Sequence, residues 1–238
     1  MIVLAVETAT MNGGVALADE DRLIAELRLN VKTTHSERLL PGLDYLLKQA
    51  DLELGQIDIL AVSQGPGSFT GLRVGIALVK GMAFASGGAK KVVAVHTLEA
   101  FAWHFPFSHI PVCPLLDARK GELYGGIFLW KGGSFERIVP EAVLSPGKWI
   151  TMAREVLGQG HDKIILMGEG ATIYREEFRS AIGGQALFAP PPLMAPSAAN
   201  VALVGAQMAC KGLFADPETL TPFYIRKSEA ELKWQSNS

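Results

Sequence analysis

The sequence predicts an α/β fold made of two duplicated lobes, each with a mixed β-sheet and packed helices. Three observations carry this. The order strand, strand, strand, helix, strand occurs once in each half of the chain. Residues 2–6 and 163–167 are almost unbroken apolar runs, the pattern of strands buried on both faces. Hydrophobic residues make up 49% and charged ones 19% of the 238, enough apolar surface for two small cores and too much for disorder.

The elements follow in order. Residues 2–6, 15–18 and 22–29 read as three strands, joined by the turn chemistry of residues 8–14 and 19–21, and form an antiparallel meander. Leu39, Leu40, Leu43, Leu46, Leu47 and Ala50 recur at helical spacing, so residues 35–50 are expected to form an amphipathic helix. Pro41 is compatible with it only if the helix begins close before it. A buried strand is expected over 57–63, a helix over 70–85 with Thr70 as N-cap, a strand over 91–95 and a short helix over 97–103.

The second half repeats the scheme. It has strands over 112–116, 123–130 and 135–139, a helix over 146–157, and a strand over 163–167. A turn at Gly168-Glu-Gly170, a rigid connector at Pro190-Pro-Pro192 and a helix over 198–210 complete it. The lobes are placed at 1–104 and 105–214, with 215–238 expected to fold back on the first and 233–238 to fray.

Composition narrows the function classes. Twenty-two Lys and Arg against 24 Asp and Glu leave a net charge of −2, without the basic surplus that holds a phosphate backbone. Nucleic acid is therefore expected to reach this chain through a partner. The opening residues have no basic region, and the most apolar helix is cut by Lys80, so neither a secretory signal nor a membrane span is expected. Cys113 and Cys210 form no CxxC pair and read as buried, reduced thiols of a cytoplasmic protein.

The densest motif is Gly65-Pro-Gly-Ser-Phe-Thr-Gly-Leu-Arg-Val-Gly75, directly after a buried strand. Its Gly65, Gly67, Ser68, Thr70 and Gly71 sit at a helix start, where free amides suit an anion. It lacks the lysine of a phosphate loop and the third glycine of a dinucleotide fingerprint. A tight strand-to-helix connection, with Gly71 and Gly75 thinning one helix face, is the better physical reading. Glu7-Thr8 and Asp117 occupy matching turns in the two halves, where opposed acids can hold a metal and a triphosphate between lobes. With the Gly168-Glu169-Gly170 turn they make a nucleotide-like cleft; ordinary turn chemistry accounts for the same residues. The five histidines show no metal-ligand spacing, and Ser68 lacks a nucleophile elbow.

Several segments carry a family resemblance. Residues 2–10, His35-Ser-Glu-Arg-Leu-Leu-Pro41, the glycine-rich loop, His96-Thr-Leu-Glu99, Leu116-Asp-Ala-Arg119 and Pro222-Phe-Tyr-Ile-Arg226 run in the same order as in the TsaB (YeaZ) family. The likeness covers almost the whole chain, by pattern only over 135–196. It implies an actin-like (Hsp70-type) fold. It also implies a non-catalytic scaffold subunit in the making of tRNA N6-threonylcarbamoyladenosine, which binds and activates a TsaD-like catalytic subunit together with a TsaE-like ATPase. Such a subunit needs no cofactor of its own, although the complex uses ATP, and it meets tRNA only through the complex.

TsaD-like proteins carry two metal histidines where this chain, aligned through Leu98 and Glu99, has Thr97 and Phe101. Neither side chain replaces an imidazole ligand. Glu7 stands where the family commonly has Asp, and His96 where Ser is common. The family's first two helices pack against their counterparts in TsaD, which places His35, Leu39, Leu43, Leu72, Arg73, Ile76 and Lys80 as interface candidates. The same face allows a homodimer when TsaD is absent. For Leu43 a place under its own sheet is equally compatible with the pattern. The alternative to the scaffold is an enzyme in its own right, an actin-fold ATPase or a metallopeptidase-like protein.

Overall fold

The computed structural model describes residues 1–20, 22–31 and 34–226. The proposed fraying of 233–238 lies outside them. Two five-stranded sheets form the body, and their strand orders are equivalent. The first is β3-β2-β1-β4-β5, from Val3–Glu7 (β1), Gly13–Ala18 (β2), Leu23–Leu29 (β3), Ile59–Gly65 (β4) and Lys91–His96 (β5). The second is β8-β7-β6-β9-β10, from Val112–Asp117 (β6), Leu123–Lys131 (β7), Ser134–Leu144 (β8), Ile164–Met167 (β9) and Ala186–Phe188 (β10). In each, the first three strands run antiparallel and the last two add in parallel.

Helices and sheets alternate in five layers. Strand alternation in β1 turns Leu4 and Val6 toward α1 (His35–Gln49) and α2 (Phe69–Ala85). Val3 and Ala5 face the opposite way, toward α3 (Thr97–Ala102) and α7 (Ala198–Cys210). These two helices lie between the sheets in one core that Leu116, Phe128 and Met167 close from the second lobe. The far face of the second sheet packs on α4 (Pro146–Gly158) and α6 (Arg175–Ile182), with the short α5 (Glu169–Ile173) beside them. Helix α7 belongs to residues 105–214 by sequence, yet it lies on the first sheet. Ala5, Ala16 and Ala61 are small enough to admit it, and a Cβ on Gly205 would stand 2.7 Å from that of Ala61.

Several expectations change. Helix α1 begins six residues before Pro41, so the proline is interior, and it lies on the exposed side of the helix. Ser68, not Thr70, is the N-cap of α2, its Oγ accepting from the Gly71 amide at 3.3 Å. Gly168-Glu-Gly170 opens α5 instead of forming an isolated turn. Strand β8 continues through Pro140 to Leu144, which an edge strand tolerates. Helix α6 and strand β10 were not expected: α6 buries only Phe178 and Ile182, too thin a stripe to read, and β10 has three half-buried residues. Cys113 is buried as expected, but Cys210 is exposed.

The glycine-rich motif is a packing device. A Cβ on Gly71 would collide with the Thr8 carbonyl, and one on Gly75 with the Thr8 hydroxyl. Helix α2 therefore rests directly on the turn after β1. Gly71→Ala is expected to cost about 3 kcal/mol through forced separation of the two, read as a lower urea midpoint with an unchanged slope.

Candidate functional site

A cleft of about 550 Å³ lies between the lobes. The first lobe lines it with Ala9, Thr10 and Met11 after β1 and with the Gly67–Thr70 start of α2. The second lines it with the β6–β7 connection from Leu116 to Lys120, with Tyr124 and with Glu169; Tyr224 and Arg226 complete the lining.

Of the expected cleft residues, only Asp117 and Glu169 line it. Asp117 is engaged within its own turn. One carboxylate oxygen accepts from the Arg119 amide at 2.8 Å, and the other pairs with the Arg119 guanidinium at 3.4 Å. The turn holds three consecutive left-handed residues, Arg119 (φ 63°), Lys120 (φ 55°) and Gly121 (φ 74°), a conformation only the glycine adopts freely. The carboxyl of Glu169 is raised above its ordinary pKa by burial, and the charge of Asp117 adds to the shift; the Asp117 backbone and Arg119 oppose it.

Glu7 does not reach the cleft. Strand register sets it beside Ser63, one step past the Val6–Val62 pair, and it is 1% exposed. The Ser63 hydroxyl donates to one of its oxygens and the Ala9 amide to the other. Burial raises its pKa to about 7, against the two hydrogen bonds that lower it. Thr8 is also buried, in the seam with α2, and its hydroxyl has no hydrogen-bond partner among the described residues. Gly168 and Gly170 sit against the Leu115 carbonyl behind the cleft, so they pack and do not line it. The loop glycines are used likewise: a Cβ on Gly65 would strike the Phe223 carbonyl, and one on Gly67 would meet the Ala9 backbone. The Ser68 amide is already donated to Ala9 at 2.7 Å, which removes one anion-binding donor.

The interface candidates on α1 and α2 face mostly inward. Leu39, Leu43, Leu72 and Ile76 are all 5% exposed or less; Leu39, Leu43 and Ile76 belong to the core beneath the first sheet, and Leu72 packs beside Gly65. This resolves Leu43 in favour of its own lobe. His35 is buried too, with Nε2 2.8 Å from the Thr10 carbonyl and Nδ1 3.0 Å from an Arg38 nitrogen. These partners fix the neutral tautomer that carries its proton on Nε2, in keeping with a pKa lowered by burial and by the Arg38 charge. Arg73 and Lys80 point outward but hold residues 218–224. Arg73 Nε donates to the Tyr224 hydroxyl at 3.0 Å, and Lys80 donates to the carbonyls of Glu218 and Leu220 at 3.1 and 3.3 Å. The outer apolar surface of the pair consists of Leu40, Tyr45 and Phe84, each more than half exposed, with Ala77 and with the half-buried Val74 and Leu78, which also pack on the core.

A family model described as TsaD, tRNA N6-adenosine threonylcarbamoyltransferase, matches residues 28–234. Over 236 residues the chain is 30% identical to the tRNA threonylcarbamoyladenosine biosynthesis protein TsaB of Bacillus subtilis (strain 168), covering 98% of each. The chain belongs to the TsaB family. Among solved structures, YeaZ from Pseudomonas aeruginosa is 27% identical, with a TM-score of 0.76 over 94% of this chain and 99% of that one. The ROK hexokinase from Thermus thermophilus is 14% identical, with a TM-score of 0.50 over 88% of this chain and 100% of that one. That likeness concerns the fold alone, and the fold is actin-like.

His96, which stands where the TsaB-family pattern commonly has Ser, has partners in both lobes. His96 Nδ1 lies 3.0 Å from a carboxylate oxygen of the buried Glu141, joining β5 of one lobe to β8 of the other. Its ring meets Phe223 edge-on at 4.9 Å. Thr97 and Phe101 are fully buried, Phe101 within the core shared by the lobes. Among the described residues, no group of three His, Cys, Asp or Glu side chains is placed to hold a metal. Tyr224 and Arg226 were missed as site residues. They lie in the Pro222-Phe-Tyr-Ile-Arg226 segment that marks the family, but nothing in a linear pattern shows that this segment returns to the cleft.

Proposed function

We propose that the chain is the non-catalytic scaffold subunit for tRNA N6-threonylcarbamoyladenosine formation, which binds and activates a TsaD-like catalytic subunit alongside a TsaE-like ATPase. The observation that carries this reading is the burial of Thr97 and Phe101, the two positions where TsaD-like proteins place metal histidines, inside the core. A metal there would have neither ligands nor room. Asp117, the acid an ATPase reading depends on, is bound to Arg119 within its own turn.

The docking face is the outer surface of α1 and α2, carried by Leu40, Tyr45, Val74, Ala77, Leu78 and Phe84. This apolar patch suits a partner helix pair, and a second copy of the chain when the catalytic subunit is absent. No described helix is long and apolar enough to cross a membrane, in keeping with a cytoplasmic site of action, and tRNA is met through the complex.

The test is an omission assay with the cognate catalytic subunit, the ATPase, ATP, threonylcarbamoyl-adenylate and unmodified tRNA. Omitting this chain is expected to abolish modified adenosine, while the chain alone makes none and hydrolyses no ATP. Full product in its absence would refute the proposal.

A further inference from the structure

We propose that residues 215–226 form an interlobe clasp and that Arg226 fastens it, so that the chain's own side chains hold the two walls of the cleft together.

From Ala215 to Tyr224 the segment is fixed to the first lobe at several points. The Ala215 amide donates to the Val92 carbonyl of β5 at 2.8 Å. Lys80 of α2 holds the carbonyls of Glu218 and Leu220. Gln64, near the end of β4, grips from both directions: its amide donates to the Thr221 carbonyl at 3.1 Å, and its backbone carbonyl accepts from the Phe223 amide at 2.8 Å. Tyr224 stacks on Phe69 with ring centres 4.7 Å apart, and the Arg73 guanidinium covers the other part of this cluster, 3.8 Å from the Phe69 centroid. Two residues later the chain reaches the opposite lobe. Arg226 donates to the Glu122 carboxylate at 2.9 Å and to the Ala118 carbonyl.

Ala118 and Glu122 are the first and last residues of the connection between Asp117 at the end of β6 and Leu123 at the start of β7, which forms the second lobe's wall of the cleft. Phe69, on which Tyr224 stacks, belongs to the first lobe's wall. The clasp therefore spans the cleft from the first lobe's wall to the second's. Its fastening is a charge-assisted pair backed by a carbonyl, with the Arg226 side chain 25% exposed. Because Tyr224 and Arg226 line the cleft, a ligand entering from that side meets the clasp first.

Hydrogen exchange on the full chain tests this without any partner, so the outcome is independent of the scaffold reading. Arg226→Ala and Glu122→Ala are each expected to speed amide exchange on the order of tenfold in peptides covering 214–226 and 117–123. Peptides of β1 to β3 are expected to keep their wild-type rates. The double charge exchange Arg226→Glu with Glu122→Arg is expected to restore protection in part, which a merely destabilised lobe would not do. Wild-type protection in both single variants would overturn the proposal. So would a uniform rise across all peptides, or a double exchange no better protected than either single variant.

Discussion

Glutamate at both Leu40 and Ala77 is expected to abolish binding of the catalytic subunit while leaving the chain folded. Leu40 is 59% exposed and Ala77 is on the outer side of α2, so in the free protein both carboxylates stand in water. Docked against a helical partner, each would lose hydration without a counter-charge, an effective cost of several kcal/mol per ion. Even about 3 kcal/mol in total lowers affinity by more than about 100-fold. Titration calorimetry against the catalytic subunit reads the affinity, and a thermal melt of the variant alone confirms that it folds. Unchanged affinity would remove the outer face of α1 and α2 from the proposal. Substituting Ile76 instead would mislead: at 4% exposure it belongs to the core, and a carboxylate there would unfold the lobe and pass for lost binding.

The second large effect lies beneath the cleft. Glu7 has its carboxyl pKa raised from 4.5 to about 7, chiefly by burial. A carboxyl that titrates higher in the folded protein than in the unfolded chain favours folding fully below the unfolded value. That contribution fades as pH rises through the folded one. Between pH 4.5 and pH 8 the loss is on the order of 3 kcal/mol. Glu7→Gln keeps the shape and an acceptor for the Ala9 amide, and the Ser63 hydroxyl can rotate to accept from the new amide. The variant is expected to match the wild type near pH 4.5 and to exceed it by about 2–3 kcal/mol at pH 8, measured by urea unfolding at both values. A stability difference that does not change with pH would show that Glu7 stays ionised in the folded chain.

The fold was more legible than the site, and particular residues explain why. Residues 2–6 and 164–167 declare central strands because burial on both faces demands apolar side chains at every position. The duplicated order follows from counting such segments. The α1 leucines also read correctly as a stripe, but a stripe has no arrow. Leu39 and Leu43 at helical spacing fit equally well under their own sheet or against a partner, and only the packed structure decides. Glu7 failed for a different reason. A carboxylate in a turn between strands is usually a polar residue facing water, and the residue that turns it inward, Ser63, is 56 positions away. Arg226 is hidden in the same way, since its partners lie more than a hundred residues earlier.

The return of α7 to the first sheet bears on how the molecule is made. As the chain emerges from the ribosome, β1 to β5, the two outer helices and the short α3 appear within about the first hundred residues, but α3 reaches only the β4–β5 side of one face of their sheet, and the rest of that face, with Val3 and Ala5 of β1, waits for its cover. The covering helix is not synthesised until residues 198–210. During that interval the nascent first lobe exposes an apolar surface of small side chains, and the second lobe is completed while the first still waits. The two lobes, equivalent in topology, are thus not independent folding units: the half translated first is the half finished last.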